Sequence, residues 1–527
     1  MKKIDKTRRV IWISVLTVLL LFAASFASSY LYDLYNGGFE PVNVEIEQKG
    51  NTITLSAAPF YKIYYTTDGS IPTQDSKQYI LPFAIERVNV LCQHNGEISI
   101  GDFQIYDADV PAANVVRTIA VAPDGTQGDV TTTTCFEQKE DITVISIIVD
   151  YDDLLDYDTG IMVKGRIYDE WIESEEAAEY VSKKQFWEYE GNYTQKGRSW
   201  ERQALIEIYD NGEKIQLPAG IRIQGGMSRM YSQRGFNIYF REDYGVKSLN
   251  VDIFGNGISK YKSLTLRNGG NAADSLKFKD SWIQGRLSSM DFSVLSSKPA
   301  LVYINGEYWG LYILQEKYSD SFIKEHFGIQ DIVMVKDYEI EEGDAADLFD
   351  ELLEFRTRDF SDPDVWENFK ETVDIQSMAD YFAAQIYIGN GDWTVDKNTC
   401  LWRSVEESEG YQDGRWRYML YDTEYSSSLY GQVITSASYD HMGLAEMRFP
   451  LFAKAMQVEE FRELFDSSLN EVRSRFVPED VRESLSNISS ALEKHMSYYY
   501  MKFGGNKESF DIESTAEFFE DRYAIEW

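Results

Sequence analysis

Cysteine and histidine are scarce in this chain of 527 residues, which contains three cysteines and four histidines. Cys92, Cys135 and Cys400 are too few and too widely spaced for a disulfide framework or a cysteine zinc site. The histidines show no spacing typical of metal ligands, such as an HExxH pair. The composition therefore excludes the disulfide-rich and zinc-finger classes, and it singles out no histidine for catalysis.

Positively charged residues are also few. The chain has 51 Lys and Arg residues and 87 Asp and Glu residues, which gives a formal net charge of -36. A phosphate backbone requires a surface rich in Lys and Arg, so this balance argues against nucleic acid as a partner. Hydrophobic residues make up 43% of the chain, which indicates a globular protein. The length favours two or more domains.

A long uncharged run lies near the N-terminus, where residues 10–27 follow a basic segment. As a helix this run would span roughly 27 Å at about 1.5 Å per residue, close to the thickness of the hydrocarbon core. The basic flank predicts that residues 1–30 are a cytoplasmic stub and a single-pass anchor in the cell membrane, with the rest of the chain outside. Ser25-Phe26-Ala27 is a weak cleavage site, so secretion after signal cleavage is the alternative.

Short alternating strands follow from about residue 42 to 135, separated by turn signals such as Asp68-Gly69 and Asn95-Gly96. This pattern predicts a small β-sandwich over residues 38–137. Residues 62–73, KIYYTTDGSIPT, resemble the chitobiase/hexosaminidase C-terminal-type module. The resemblance implies carbohydrate contact, with cell-wall glycan as the partner. The other interpretation is a spacer that holds the next domain away from the membrane.

A second unit over residues 141–510, with a helical tail to 527, is rich in strands first and in helices later. Residues 143–149 form an apolar run typical of a buried strand, and Asn305-Gly306 between two apolar runs predicts a β-hairpin. Helices are predicted from about 344 to 388 and over most of 443–527. A pair of strands at 399–403 and 416–421 lies between them.

Polar residues at the ends of this last strand pair carry the candidate chemistry. The chain has no Walker A, GxSxG or GxGxxG motif. Asp392, Asp396 and Asn398 precede one strand, and Asp422 ends the other. Phosphoryl transfer requires a carboxylate that orients a hydroxyl, and an Asn and a second carboxylate that hold Mg²⁺. Turns and caps use the same residues, so the spacing alone leaves both interpretations open.

Several segments, in order, resemble the CotH (spore coat protein H) family of atypical secretory kinases. They are residues 220–229 (GIRIQGGMSR), 266–270 (LRNGG) with Asp280 after them, 303–312 (YINGEYWGLY) with Gln315-Glu316-Lys317 after them, 390–403 (NGDWTVDKNTCLWR) and 420–424 (LYDTE). The resemblance implies ATP- and Mg²⁺-dependent phosphorylation of secreted or cell-surface proteins, such as spore-coat-like proteins. The predicted fold class is α+β: an atypical protein-kinase-like domain preceded by a small all-β sandwich and an N-terminal transmembrane helix.

Carried over residue by residue, the resemblance matches Asp392 to the catalytic Asp, and Asn398 and Asp422 to the metal-binding positions. Asp396 competes for the catalytic role, because one extra residue separates Asp392 from Asn398. The candidates for the nucleotide site are Arg229, Arg234, Glu316 and Lys336, with Glu316 orienting a basic residue. The alternatives are a structural ion pair for Arg229 and ordinary surface side chains for Glu316 and Lys336.

Three departures from the family pattern support a second hypothesis. Gln233-Arg234 replaces a Lys-Lys pair, Lys397 replaces the first Asn of an Asn-Asn pair, and Glu424 replaces the second acid of the metal strand. They permit a weak or inactive kinase-fold surface scaffold with a glycan-binding β-module. Glycoside hydrolysis is a third class, but it requires two carboxylates across a sugar ring, and no such pair can be assigned.

Overall fold

The computed structural model describes residues 38–510 and 512–526, together with positions 17, 18, 21, 24, 25, 28, 31 and 32. Most of the predicted membrane anchor, residues 10–27, lies outside this described part. Within it, no helix is long and apolar enough to cross a bilayer. The prediction of a transmembrane helix, and of the single-pass membrane location derived from it, is corrected by this finding. Of the predicted anchor, this finding covers positions 17, 18, 21, 24 and 25, and the other residues of 10–27 lie outside the described part.

Two small antiparallel sheets form the N-terminal region, and the predicted all-β module is confirmed. Its strands are β1 (Glu45–Lys49), β2 (Thr52–Ser56), β3 (Lys62–Thr66), β4 (Lys77–Gln78), β5 (Phe83–Ala84), β6 (Ala113–Val121) and β7 (Thr131–Phe136). They are ordered β1-β2-β5 and β4-β3-β6-β7. Alternate residues of both sheets, such as Ile53, Ile63 and Val116, point into one shared core. Two short helices, α1 (Val90–Gln93) and α2 (Asn95–Ile98), follow β5.

Seven further strands close into a barrel. They are β8 (Thr143–Val149), β9 (Arg202–Asp210), β10 (Glu213–Gln224), β11 (Gly235–Tyr239), β12 (Ser263–Arg267), β13 (Ser297–Ile304) and β14 (Glu307–Gln315), ordered β10-β11-β12-β14-β13-β8-β9. The predicted hairpin is confirmed, since β13 and β14 are joined by Asn305 and Gly306 at φ 49° and 87°. Positive φ at both positions is what a two-residue turn requires.

A four-stranded sheet and a set of helices make up the C-terminal half, as the sequence predicts. The strands are β15 (Ile332–Lys336), β16 (Glu339–Glu342), β17 (Cys400–Ser404) and β18 (Arg417–Met419), ordered β16-β15-β17-β18. The remaining helices are α3 (Tyr151–Leu155), α4 (Gly165–Ile172), α5 (Glu175–Ser182), α6 (Lys279–Arg286), α7 (Asp320–Phe327), α8 (Ala346–Glu354), α9 (Pro363–Thr372), α10 (Ile375–Ile388), α11 (His441–Arg448), α12 (Pro450–Ala455), α13 (Glu459–Arg475), α14 (Pro478–Phe503) and α15 (Glu513–Ala524). Helix α10 is almost entirely buried and is the centre of this half.

The β-sandwich is joined to the barrel through buried polar contacts. The carboxylate of Glu307, at the start of β14, accepts hydrogen bonds from the backbone N–H groups of Leu91 and Cys92 at 2.7 and 3.1 Å. It also pairs with Lys502 Nζ at 2.9 Å, and both side chains are buried. At the tip of the sandwich, a Cβ atom on Gly69 would lie 2.6 Å from Asn305 Oδ1. The module therefore packs directly on the barrel.

The contact at Glu307 can be tested by removing its charge. We expect Glu307→Gln to lower the free energy of unfolding by about 3 kcal/mol, because Lys502 is then a buried charge without a counter-charge. Glu47→Gln is the control, since Glu47 and Lys49 form an exposed pair at 2.9 Å, and we expect a change within about 0.5 kcal/mol. Urea denaturation followed by tryptophan fluorescence measures both. Equal, small losses would contradict the role given to Glu307.

Candidate functional site

The register of the four-stranded sheet brings Lys336, Asn398 and Asp422 to the same end. Lys336, the last residue of β15, is opposite Cys400, the first residue of β17. Cys400 is in turn opposite Met419, the last residue of β18. Asn398 precedes β17 and Asp422 follows β18, so both leave the sheet at the edge where β15 ends. The amine of Lys336 lies 4.6 Å from the ring centroid of Tyr421, the residue before Asp422.

The backbone at Asp422 is held in an uncommon conformation. Its φ of 58° lies in the left-handed region, which is rare for a residue other than Gly and is found at functional sites. The next residue, Thr423, donates hydrogen bonds from its N–H and its hydroxyl to Asp280 Oδ1, at 3.0 and 2.9 Å. Asp280 Oδ2 accepts from the amides of Gln284 and Gln315. Asp280 on α6 therefore positions the segment that carries Asp422.

Arg267, the last residue of β12, compensates two neighbouring carboxylates. Its Nη2 lies 2.9 Å from Asp422 Oδ1 and also contacts Glu424 Oε1. Burial would raise the pKa of Asp422, but Arg267 and a hydrogen bond with Glu424 lower it to about 2. Burial raises the pKa of Glu424 well above its usual range, and Arg267 offsets this only in part. Glu424 Oε2 is buried and has no hydrogen-bond partner in the described part of the chain.

The loop of Asp392 is fixed from several sides. The Asp392 N–H donates to Asn390 Oδ1 at 3.0 Å, and the Asn398 amide donates to the Asp392 carbonyl at 2.7 Å. Arg448 on α11 donates to the carbonyls of the residues on either side of Asp392, at 3.1 and 2.9 Å. The Asp392 carboxylate pairs with Lys397 Nζ at 2.5 Å and is partly exposed. Asp392 and Asn398 are thus held together.

Asp396 has a different environment, although it belongs to the same loop. Its side chain is exposed and accepts a hydrogen bond from Thr394 Oγ1 at 2.6 Å. That hydrogen bond lowers the pKa of Asp396. The geometry is that of a polar turn, closed by the hydrogen bond from the Thr394 N–H to the Lys397 carbonyl.

The two predicted arginines use their guanidinium groups on the protein itself. Arg229 donates to the carbonyls of Tyr193, Thr194 and Gln195 at 3.3, 3.1 and 2.9 Å. It also donates to the carbonyl of Gly225, just after β10. Arg234 is fully buried, donates to the Ile98 carbonyl of α2 at 2.8 Å and lies over the Tyr193 ring. Burial lowers the pKa of each arginine to about 10. Both side chains therefore hold segments of the fold together.

Glu316 also makes contacts within the protein. Its two carboxylate oxygens contact His326 Nε2 at 2.8 Å and accept from the Ser296 N–H at 2.9 Å. These partners lie on α7 and just before β13. Of the four residues predicted to contact the nucleotide, Lys336 is the one that the structure brings beside Asp422.

Two basic residues at the site were not assigned by the sequence analysis, Arg267 and Lys317. Burial lowers the pKa of Lys317, the nearby carboxylates of Glu341 and Glu342 raise it, and the charges of Lys336 and Arg222 lower it. Both unassigned residues are in the motif segments, at LRN and after the hairpin. The sequence feature that could have identified Arg267 and Lys317 is a basic residue at or just after the end of a buried strand.

Comparison with known families is consistent with this geometry. A family model described as CotH kinase protein matches residues 221–525, which is more than half of the chain. The chain belongs to the CotH kinase family. The matched region contains Lys336, Asp392, Asn398 and Asp422, whereas β8 and β9 of the barrel precede it. A second model, described as Fn3 associated, matches residues 52–135 and covers most of the N-terminal β-module. No curated protein matches the chain.

The charge balance at Arg267 gives a pH-dependent prediction. We expect Arg267→Met to lower the free energy of unfolding by about 1 to 3 kcal/mol at pH 7, because the ionised carboxylate of Asp422 loses its counter-charge, and solvent screens part of the loss since this side chain is partly exposed. The stability that Asp422 gains from its lowered pKa is present above about pH 4 and is lost as the pH falls toward 2. The difference between wild type and variant should therefore shrink below about pH 4.

Urea denaturation at neutral and acid pH measures this difference. The double variant Arg267→Met/Asp422→Asn is the matched control. It should recover part of the loss at pH 7, because a neutral amide then replaces the ionised carboxylate that the guanidinium compensated. A loss that is the same at both pH values would show that packing, and not charge, is what Arg267 contributes.

Proposed function

We propose that this CotH family protein is an atypical protein kinase that transfers the γ-phosphate of ATP to hydroxyl side chains of a secreted or surface protein. The observation that carries the proposal is that Asn398 and Asp422 lie at the same end of the sheet as Lys336, and that Asn398 bonds the Asp392 carbonyl. Family membership supports a kinase-like activity. The acceptor and the use of ATP are part of the proposal.

The donor atoms at this edge fit a magnesium ion. Mg²⁺ prefers hard oxygen ligands and is usually held by one or two carboxylates together with phosphate oxygens. The carboxylate of Asp422 is ionised, and Asn398 uses its Nδ2 on the Asp392 carbonyl, which leaves its Oδ1 as an acceptor. Glu424 Oε2, which lacks a partner among the described residues, is a further oxygen donor. When bound, the metal supplies charge neutralisation on the phosphate groups.

The other residues have roles that follow from their charge. Asp392 would accept a hydrogen bond from the acceptor hydroxyl and take up its proton as the phosphoryl group is transferred. Lys397 pairs with Asp392 from the solvent side, where contacts between exposed charges are weak and exchange readily. Lys336 and Lys317 would balance the charge of the phosphate groups.

A transfer experiment tests the proposal. We expect the protein to transfer label from ATP labelled at its γ-phosphate to protein, in a manner that requires Mg²⁺. Asp422→Asn should reduce the rate at least about 100-fold, in line with the loss of a key electrostatic group. Asp413→Asn is the matched control, because Asp413 is also a paired carboxylate but lies before β18, where it contacts Arg415 and Arg417. Equal labelling by Asp422→Asn and wild type would refute the assignment.

Asp392 and Asp396 can be separated in the same assay. We expect Asp392→Asn to lower the rate at least about 100-fold, since general-base catalysis contributes about 100- to 10,000-fold. Asp396→Asn should keep the rate within a few-fold of wild type, because its carboxylate bonds Thr394 in an exposed turn. The reverse result would assign the catalytic role to Asp396.

A second candidate function is a kinase-fold scaffold that binds nucleotide weakly and transfers no phosphate. The observation that favours it is the direct pairing of Arg267 with Asp422 and Glu424, since this charge already satisfies the carboxylates that a metal would use. Calorimetric titration with a non-hydrolysable ATP analogue and Mg²⁺ distinguishes the two. Binding without transfer supports the scaffold, and binding with transfer supports the kinase.

A further inference from the structure

A buried imidazole and two carboxylates meet where the β-sandwich joins the barrel. Glu140 and Asp141 lie between β7 and β8, and His495 is on α14. One ligand atom from each residue lies within 4.8 Å of the other two, and His495 Nε2 is 3.5 Å from Asp141 Oδ1. None of these residues belongs to the set around Asp422.

His495 lacks the hydrogen bonds that a buried imidazole normally makes. The residue is 1% exposed, and its Nδ1 has no hydrogen-bond partner in the described part of the chain. The 3.5 Å between Nε2 and Asp141 Oδ1 is long for a hydrogen bond. Burial lowers the pKa of His495, although the nearby charges of Glu140 and Asp141 raise it.

Further polar atoms beside Glu140 are also unsatisfied. The hydroxyls of Tyr303 and Tyr308 are buried without a hydrogen-bond partner among the described residues. Burial raises the pKa of both hydroxyls, and the charge of Glu140 raises it further, so this carboxylate is nearby. The Glu140 side chain is 1% exposed; its Oε1 accepts from Gln138 at 2.6 Å, whereas its Oε2 reaches Lys494 Nζ only at 3.4 Å. Unsatisfied buried polar groups in a native fold are typical of places that take up an ion or water.

The geometry points to a zinc site formed by Glu140, Asp141 and His495. Zinc bonds of about 2.0 to 2.1 Å in tetrahedral geometry place neighbouring ligand atoms about 3.3 Å apart. The distance between His495 Nε2 and Asp141 Oδ1 is close to this value. One imidazole with two carboxylates suits Zn²⁺, whereas Mg²⁺ and Ca²⁺ prefer sites built from oxygen alone. Water completes the coordination.

Such an ion would connect the segment between the two β-units to the long helix α14. The same helix already reaches the sandwich through the pair of Lys502 and Glu307, so the zinc site would be a second clamp at this junction. Lys494 is half exposed and can turn away from Glu140 into solvent when the metal binds. Binding to the folded state alone stabilises the fold.

The experiment uses the full chain, stripped of metal by a chelator and titrated with Zn²⁺ in a calorimeter. We expect one equivalent to bind wild type, and His495→Gln to weaken the affinity at least about tenfold. His94→Gln is the matched control, because His94 pairs with Glu97 at 3.7 Å on an exposed surface, and it should bind zinc as wild type does. Absorption of bound Co²⁺ in the visible range gives a second measure of the ligand set.

The variant Asp422→Asn distinguishes this zinc site from the end of the sheet that carries Asp422. We expect it to bind one equivalent of Zn²⁺, as wild type does. The proposal is overturned if Asp422→Asn loses the equivalent, if His495→Gln retains it at wild-type affinity, or if wild type binds no Zn²⁺ at micromolar concentration. Circular dichroism checks the fold of His495→Gln. If that variant does not fold, Asp141→Asn carries the same test, because the Asp141 side chain is 84% exposed.

Discussion

The buried positive charge of Arg267 is the constraint on which the arrangement of the site depends. Arg267 ends a strand of the barrel, whereas Asp422 and Glu424 follow a strand of the separate four-stranded sheet. One guanidinium therefore joins the two sheets at the edge where the proposed site lies. Neighbouring buried carboxylates repel each other unless a counter-charge is present. A cation that binds Asp422 must consequently do so beside Arg267.

The β-sandwich explains one departure from the family pattern. Gln233 donates to the carbonyls of Trp309 and Leu311 and accepts from a buried lysine, while Arg234 bonds the Ile98 carbonyl of the sandwich. These contacts face the interior, and through Arg234 the exchange of a Lys-Lys pair for Gln233-Arg234 contributes to the packing of the module on the barrel. It is therefore weak support for a loss of nucleotide binding.

Sequence reasoning predicted the elements better than the directions of their side chains. The Asn305-Gly306 turn and the strands around residues 400 and 418 follow from local turn chemistry and periodicity, and strand order then brings Asn398 and Asp422 together. Arg229, Arg234 and Glu316 lie in or beside the motif segments, but their contacts depend on partners that the sequence pattern does not reveal. The same holds for His495 and Asp141, whose proximity leaves no signature in local spacing.

The two remaining departures from the family pattern affect different carboxylates, because Lys397 lies beside Asp392 and Glu424 lies beside Asp422. Lys397 adds a partner for Asp392 at an exposed position, and such a pair costs little to separate in water. The pair with Lys397 therefore leaves the Asp392 carboxylate partly accessible from solvent. Glu424 is longer than Asp by one methylene group, is fully buried, and reaches Arg267 alongside Asp422. Its burial raises the pKa of the carboxyl group and favours the protonated form, so Glu424 adds less negative charge beside Asp422 than an ionised carboxylate would.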